Sequence, residues 1–215
     1  MEKDLSDFRK SYEKNSLLES NTPDSPITLF TNWFENTNAN FPESETNAMT
    51  LSTLGSDGYP KGRVVLLKKF SIEGFVFFTN YLSEKGKSIS KYPKVSLAFH
   101  WEGSEQQVII KGDIEKISET DSDVYFNSRP RDSQLGAYVS EQSSVIKNRT
   151  VLDQRMKSLE EKFLNKTIKR PNFWGGYIVK PVEIEFWQGR KSRLHDRIRY
   201  KLDNNFNWIK ERLSP

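Results

Sequence analysis

Apolar and polar positions change period several times along the chain, and each change predicts a different kind of element. Residues 1–24 are polar, rich in Ser, Asn, Glu and Lys, and nearly aperiodic, which predicts a mobile amino-terminal arm. Ile27, Phe30, Trp33 and Phe34 then recur at helical spacing. Ser25 can cap that helix, and Pro26 suits its first turn because the missing N–H would be unbonded there anyway. From Ala48 to Ile117 short apolar or alternating runs are broken by Asp57-Gly58, Glu73-Gly74 and Glu102-Gly103, which predicts a meander of antiparallel strands.

Between Ser118 and Asn165 the period lengthens again. Leu152, Met156, Leu159 and Phe163 make one apolar stripe, which predicts a helix face buried in the core. Strands return at Trp174, with turns near Gly189 and Asp203-Asn204-Asn205 and a last strand carrying Phe206, Trp208 and Ile209. Residues 25–215 therefore read as one mainly β domain with peripheral helices (α+β), an antiparallel β-barrel or curled sheet. A chain of 215 residues can bury one sizeable core, and a second is not expected.

Composition narrows the chemistry. The balance of 33 basic against 29 acidic residues is scattered along the chain, which argues against a nucleic-acid-binding tail. Cysteine is absent, so disulfides, thiolate nucleophiles and cysteine-based zinc sites are excluded, as fits a reducing compartment. His100 and His195 are the only imidazoles and no Glu-His helix pair exists, so no metal is expected. The charged amino terminus lacks the apolar core of a secretory signal. The run Val64 to Leu67 falls far short of the roughly 20 apolar residues that cross a bilayer. A cytoplasmic protein without a membrane partner is the expectation. No Gly-x-Gly-x-x-Gly follows a strand, and Gly86-Lys87-Ser88 resembles the end of a phosphate-binding loop but has Tyr81 where the first glycine belongs.

What is left is cationic. Strand period places Arg193, His195, Arg197 and Arg199 on one face, with Leu194, Ile198 and Tyr200 opposite. The same pattern suits the solvated outer face of an amphipathic strand, and Asp196 fits neither reading well. Tyr125, Arg129 and Ser133 are spaced as one helical face, interrupted by Pro130. A new helix starting there would make an anion site with Arg129 and Ser133, and the alternative is an exposed capping turn. Arg63 and Lys68 are five apart on a predicted strand and point to opposite faces. They could share a ligand only through a bulge, a strand end or a second chain.

Six strings connect these groups: Arg63-Val64-Val65-Leu66-Leu67-Lys68, Tyr125 through Gln134, Glu141-Gln142-Ser143-Ser144, Phe173-Trp174-Gly175-Gly176-Tyr177, Glu185-Phe186-Trp187-Gln188-Gly189 and Arg193-Leu194-His195-Asp196-Arg197. In this order, from about Pro26 to Pro215, the chain resembles the pyridoxamine 5′-phosphate oxidase family. The resemblance implies a split β-barrel homodimer with flavin mononucleotide (FMN) in each of two clefts formed between the subunits. It also implies oxidation of pyridoxamine 5′-phosphate and pyridoxine 5′-phosphate to pyridoxal 5′-phosphate, with O2 as acceptor and H2O2 as a product.

By the same resemblance, Arg63, Val64, Val65, Leu66, Leu67, Lys68, Phe78, Thr79, Lys85, Gln107, Gln142, Ser143, Trp187 and Arg197 would hold the flavin. Lys68, Tyr125, Arg129 and Ser133 would grip the substrate phosphate. Arg193 and His195 would lie over the substrate ring as the catalytic pair, and Arg9 and Tyr12 of the arm would form a lid. Two positions depart from the family pattern: Glu84 stands where arginine is common, and Phe78 where tyrosine is common. A carboxylate beside a phosphate repels it unless it points away, with Lys87 as a possible compensation. The rival readings are a flavin split barrel acting on another small molecule and a nucleic-acid-binding barrel using Arg197, Arg199 and exposed aromatics.

Overall fold

The computed structural model describes residues 3–215. Helix α1 (Pro26–Asn40) begins as its sequence predicts: Ser25 Oγ accepts the Thr28 N–H at 3.4 Å, and Pro26 occupies the first turn. Its buried face carries Leu29, Phe30, Trp33 and Thr37. The strands are β1 (Ala48–Leu54), β2 (Pro60–Leu66), β3 (Lys69–Ser71), β4 (Gly74–Asn80), β5 (Lys94–Trp101), β6 (Gln106–Lys116), β7 (Trp174–Gln188), β8 (Asp196–Leu202) and β9 (Trp208–Leu213). The remaining helices are α2 (Glu84–Lys91), α3 (Glu119–Ser128), α4 (Arg131–Val139) and α5 (Thr150–Lys162).

The strand order is β2-β1-β5-β6-β7-β4-β3, with β8 on β7 and β9 on β8. This corrects the expected meander. Sequence neighbours do pair within β1 and β2, β3 and β4, and β5 and β6, but β4 pairs with the distant β7. Helix α2 stands between β4 and β5, started by Ser83, whose Oγ accepts the Gly86 N–H at 3.3 Å.

The chain divides into two compact units. One takes the described residues up to Thr50 with Leu97–Lys111 and Pro181–Pro215, and the other takes Leu51–Ser96 with Gly112–Lys180. In the first, α1 supplies the aromatic core: Phe30 meets Phe99 at 5.1 Å between ring centroids, and Trp33 meets Phe186 edge-on at 5.2 Å. Antiparallel β7 and β8 set Trp187 opposite Arg197 and Glu185 opposite Arg199.

In the second unit β4 pairs antiparallel with β7, Phe77 opposite Tyr177, and Phe126, Leu135, Ala137, Ile168 and Trp174 form a separate buried cluster. The α5 stripe is not core as expected. Leu152, Met156, Leu159 and Phe163 are only half-buried, and the last three pack against the outside of that cluster, because α5 has solvent on its other side.

Two further expectations fail near the carboxyl end. Arg193 and His195 precede β8 instead of lying on it: Ser192 and Arg193 adopt left-handed conformations (φ 57° and 60°), which break strand period. Leu194 is consequently exposed, whereas Ile198 and Tyr200 are fully buried. Phe206 belongs to the β8–β9 turn, at φ 62° and 83% exposed, so the last strand starts at Trp208. No helix among the described residues is long and apolar enough to cross a membrane. No group of three or more His, Cys, Asp or Glu among them could hold a metal ion.

Candidate functional site

The second unit contains a cleft of about 860 Å³, within the range of small-molecule sites. Arg63 enters it from β2, its Nη1 donating to Thr53 Oγ1 at 2.6 Å and to the Leu51 carbonyl at 3.1 Å. Lys68 lies past the end of β2, where its N–H donates to the Val76 carbonyl at 2.8 Å, and it lines the same cleft. The strand end thus removes the opposite-face problem. Val64, Val65 and Leu66 also line the cleft, while Leu67 turns into the core at 4% exposure.

Phe78 and Thr79 enter from β4, and Lys85 from the first turn of α2. Lys85 is 8% exposed, with Nζ 3.2 Å from Gln142 Oε1, and Thr79 donates to the same oxygen at 3.4 Å. Burial holds the Lys85 pKa below its ordinary value, the neighbouring Arg63 adds to that, and Glu84 opposes it. Ser143, at φ 74°, accepts the Glu84 N–H at 3.3 Å.

Glu84 lines the cleft too, but its carboxylate is met by Lys61 Nζ at 2.6 Å. Lys61 was missed from sequence. It sits two residues before Arg63 on β2, so strand period alone would have put both on one face. Lys87, suggested as the compensating cation, does not line the cleft.

Further along the chain, α3 ends before Pro130 and α4 begins after it, so a new helix does start there. Tyr125, Arg129 and Ser133 all reach the cleft. Phe78 stacks on Tyr125 at 3.8 Å, and the Arg129 guanidinium lies 4.5 Å over the Trp174 ring. Arg129 Nη1 is buried without a hydrogen-bond partner among the described residues, and burial lowers the Arg129 pKa.

The first unit carries the remaining candidates. Trp187 and His195 lie with ring centroids 4.6 Å apart, and Tyr12 of the arm meets them edge-on at 5.7 and 5.8 Å. Gly189 belongs to this group by necessity, since a Cβ there would lie 2.7 Å from the Tyr12 ring. His195 Nδ1 accepts the Arg190 N–H at 3.1 Å, which leaves the neutral ring's proton on Nε2. Burial, with Arg193 adding to it, lowers the His195 pKa.

Arg193 is exposed on its left-handed turn, and Arg9 is exposed with Nε on the Ser6 carbonyl at 3.0 Å. Gln107 is half-buried on β6. Arg197 gives Nε to Glu185 at 2.8 Å and Nη1 to the Ser214 carbonyl at 2.7 Å, and Arg199 pairs with Glu211. Carboxylates therefore offset the arginines of β8, which weakens the reading of that face as a nucleic-acid surface.

Comparison with known proteins decides the family. The model described as pyridoxamine 5′-phosphate oxidase matches residues 37–163, and that described as pyridoxine 5′-phosphate oxidase C-terminal dimerisation region matches residues 174–215. The chain belongs to the pyridoxine/pyridoxamine 5′-phosphate oxidase family. It is 57% identical to the pyridoxine/pyridoxamine 5′-phosphate oxidase of Flavobacterium psychrophilum, covering 99% of this chain and 100% of the relative. To the protein of that name from Flavobacterium johnsoniae it is 58% identical, covering 98% and 99%.

Among solved structures, PhzG from Burkholderia lata, in complex with tetrahydrophenazine-1-carboxylic acid, superposes with a TM-score of 0.85 at 29% identity, covering 94% of this chain and 98% of that one. A pyridoxamine 5′-phosphate oxidase-related, FMN-binding protein from Nostoc punctiforme superposes with a TM-score of 0.70 at 15% identity over 90% and 100%, a likeness of fold alone. The fold is thus the antiparallel split barrel of this family.

FMN fits the donors that the structure presents. Lys85, buried with no carboxylate within ion-pair distance of its Nζ among the described residues, and Arg129, with a buried nitrogen that has no hydrogen-bond partner among them, line one cleft with Arg63, Lys68 and the hydroxyl-bearing Thr79, Ser133 and Ser143. Such a set suits ligands bearing phosphate, because charge-assisted bonds to phosphate oxygens would satisfy groups whose burial is otherwise unfavourable.

Proposed function

We propose that the chain is an FMN-dependent pyridoxine/pyridoxamine 5′-phosphate oxidase, acting as a homodimer. The observation that carries this reading is one cleft lined by two sets of phosphate donors from different parts of the chain, Arg63, Lys85 and Ser143 from β2, α2 and the loop after α4, and Tyr125, Arg129 and Ser133 from α3 to α4, with Lys68 lining it as well. The first set would hold the flavin phosphate and the second the substrate phosphate. Pyridoxine 5′-phosphate and O2 would give pyridoxal 5′-phosphate and H2O2, and the amine substrate would take up water and release ammonia as well.

When bound, FMN would supply the two-electron redox chemistry between the substrate carbon and O2. The protein's part is binding and orientation. Arg129 and Ser133 anchor the substrate phosphate and fix the distance of its ring from the rest of the cleft. Neutral His195, its Nδ1 engaged by the Arg190 N–H, presents Nε2–H as a donor toward the substrate, and Arg193 stabilises negative charge there. Trp187 and Arg197 would contact the flavin, and the arm with Tyr12 would close the substrate side.

A purified preparation should be yellow, with an oxidised-flavin spectrum that bleaches when pyridoxamine 5′-phosphate is added without oxygen. Colourless protein that refuses added FMN would overturn the reading. The likeness to PhzG favours one alternative, a split-barrel oxidase of a polycyclic acid. Bleaching by such a compound but not by pyridoxamine 5′-phosphate would select it.

A further inference from the structure

Glu105 is 4% exposed and sits at φ 55° after the turn Glu102–Ser104, with no cation within ion-pair distance among the described residues. A buried carboxylate needs compensation, and here the arm provides it. Oε2 accepts the backbone N–H of Glu13 at 2.8 Å and of Lys14 at 3.0 Å. The backbone carbonyl of Glu105 accepts the Gly189 N–H at 2.8 Å and Gln188 Nε2 at 3.1 Å. One residue therefore holds both the arm just after Tyr12 and the glycine against which the Tyr12 ring lies.

A second post stands further along the arm. Asp196, the acid that suited neither reading of the cationic strand, accepts the Leu17 N–H at 3.0 Å, Arg190 Nη1 at 2.9 Å and Arg212 Nη1 at 3.0 Å. Its carboxylate also ties β8 to β9, so its loss would disturb more than the arm. The donors to the Glu105 carboxylate, by contrast, are both arm N–H groups.

We propose that Glu105 is a positioning residue: by fastening Glu13 and Lys14 it seats Tyr12 against Trp187 and His195 and so sets substrate affinity. The anchoring stands on the geometry above, and only its effect on affinity rests on the proposed function. Lifting the arm would strip a buried anion of both donors, so the seated arrangement is the favoured one.

The test uses the full-length, FMN-loaded protein, with trypsin cleavage after Lys14 and steady-state kinetics on pyridoxine 5′-phosphate read side by side. Glu105→Ala should speed cleavage and raise KM, each about tenfold, with kcat within about twofold. Glu105→Gln, which keeps an acceptor oxygen, should restore most of both. In a Tyr12→Ala background the same alanine change should add little to KM, because its route of action is already gone. Cleavage at the parental rate, or a KM penalty repeated in full without Tyr12, would overturn the proposal. If Glu105→Ala does not accumulate, Glu105→Asp, one methylene too short to reach both N–H groups, carries the same expectation at about threefold. A parent with no turnover at all would refute the functional reading, and the cleavage comparison would still judge the anchor.

Discussion

Lys85 Nζ lies 3.2 Å from Gln142 Oε1, a neutral amide oxygen standing where a buried ammonium would ordinarily have a carboxylate. Burial pushes its pKa below the ordinary 10.5, so the fold disfavours the charged form. An arriving phosphate reverses that preference and binding takes up a proton wherever Lys85 is neutral. FMN affinity should therefore be constant at lower pH and fall as pH rises through the depressed value toward 10.5. Lys85→Met should weaken FMN binding roughly ten- to a hundredfold and abolish that alkaline fall, as read by flavin fluorescence titration. An unchanged dissociation constant would remove Lys85 from the flavin site.

Arg129 separates binding from stability. Its buried Nη1 has no hydrogen-bond partner among the described residues, so the charge contributes little to folding until an anion arrives. Arg129→Met, similar in length and apolar, should raise KM for pyridoxine 5′-phosphate roughly ten- to a hundredfold while the melting temperature shifts little. A lowered melting temperature with unchanged KM would mark Arg129 as structural, held for its contact with Trp174.

His195 gives a pH signature. Because its folded pKa is depressed below 6.5, the neutral ring's contribution is complete above 6.5 and is lost as pH falls through the lower folded value. The acid limb of kcat/KM should accordingly lie below pH 6.5, and Arg193→Leu should move it upward by removing one of the two causes of the shift. A limb that stays in place in Arg193→Leu would separate the two residues.

Glu84 is the departure from family pattern with a structural answer. Its pairing with Lys61 is about half exposed on both sides, so the pair should contribute under about 1 kcal/mol to stability. Glu84→Gln should leave the melting temperature nearly unchanged and tighten FMN binding a few-fold at low salt, with the gain shrinking as salt rises. Glu84→Arg should do the same more strongly. Weaker binding in either variant would mean that the carboxylate's hold on Lys61 matters more than its repulsion of phosphate.

Local features were legible in the sequence for a physical reason: capping, turn glycines and periodicity act over a few residues. Ser25 before Pro26 announced α1, and the strand runs after Ala48 announced the hairpins. Six short strings also pointed to the family that the comparisons then showed. By itself the sequence thus determined the class of fold, most element positions and the residue types available for binding phosphate. Tertiary structure decided which of them meet. The pairing of β4 with β7 depends on chain distant in sequence, and the strand end beside Lys68 lets Arg63 and Lys68 share a cleft. The left-handed Ser192 and Arg193 are not favoured by their own side chains, so no local rule could foresee that Arg193 and His195 leave the strand. The burial of Lys85, and of Glu105 beneath the arm, is likewise a property of packed surroundings, and desolvation has no counterpart in the linear chain.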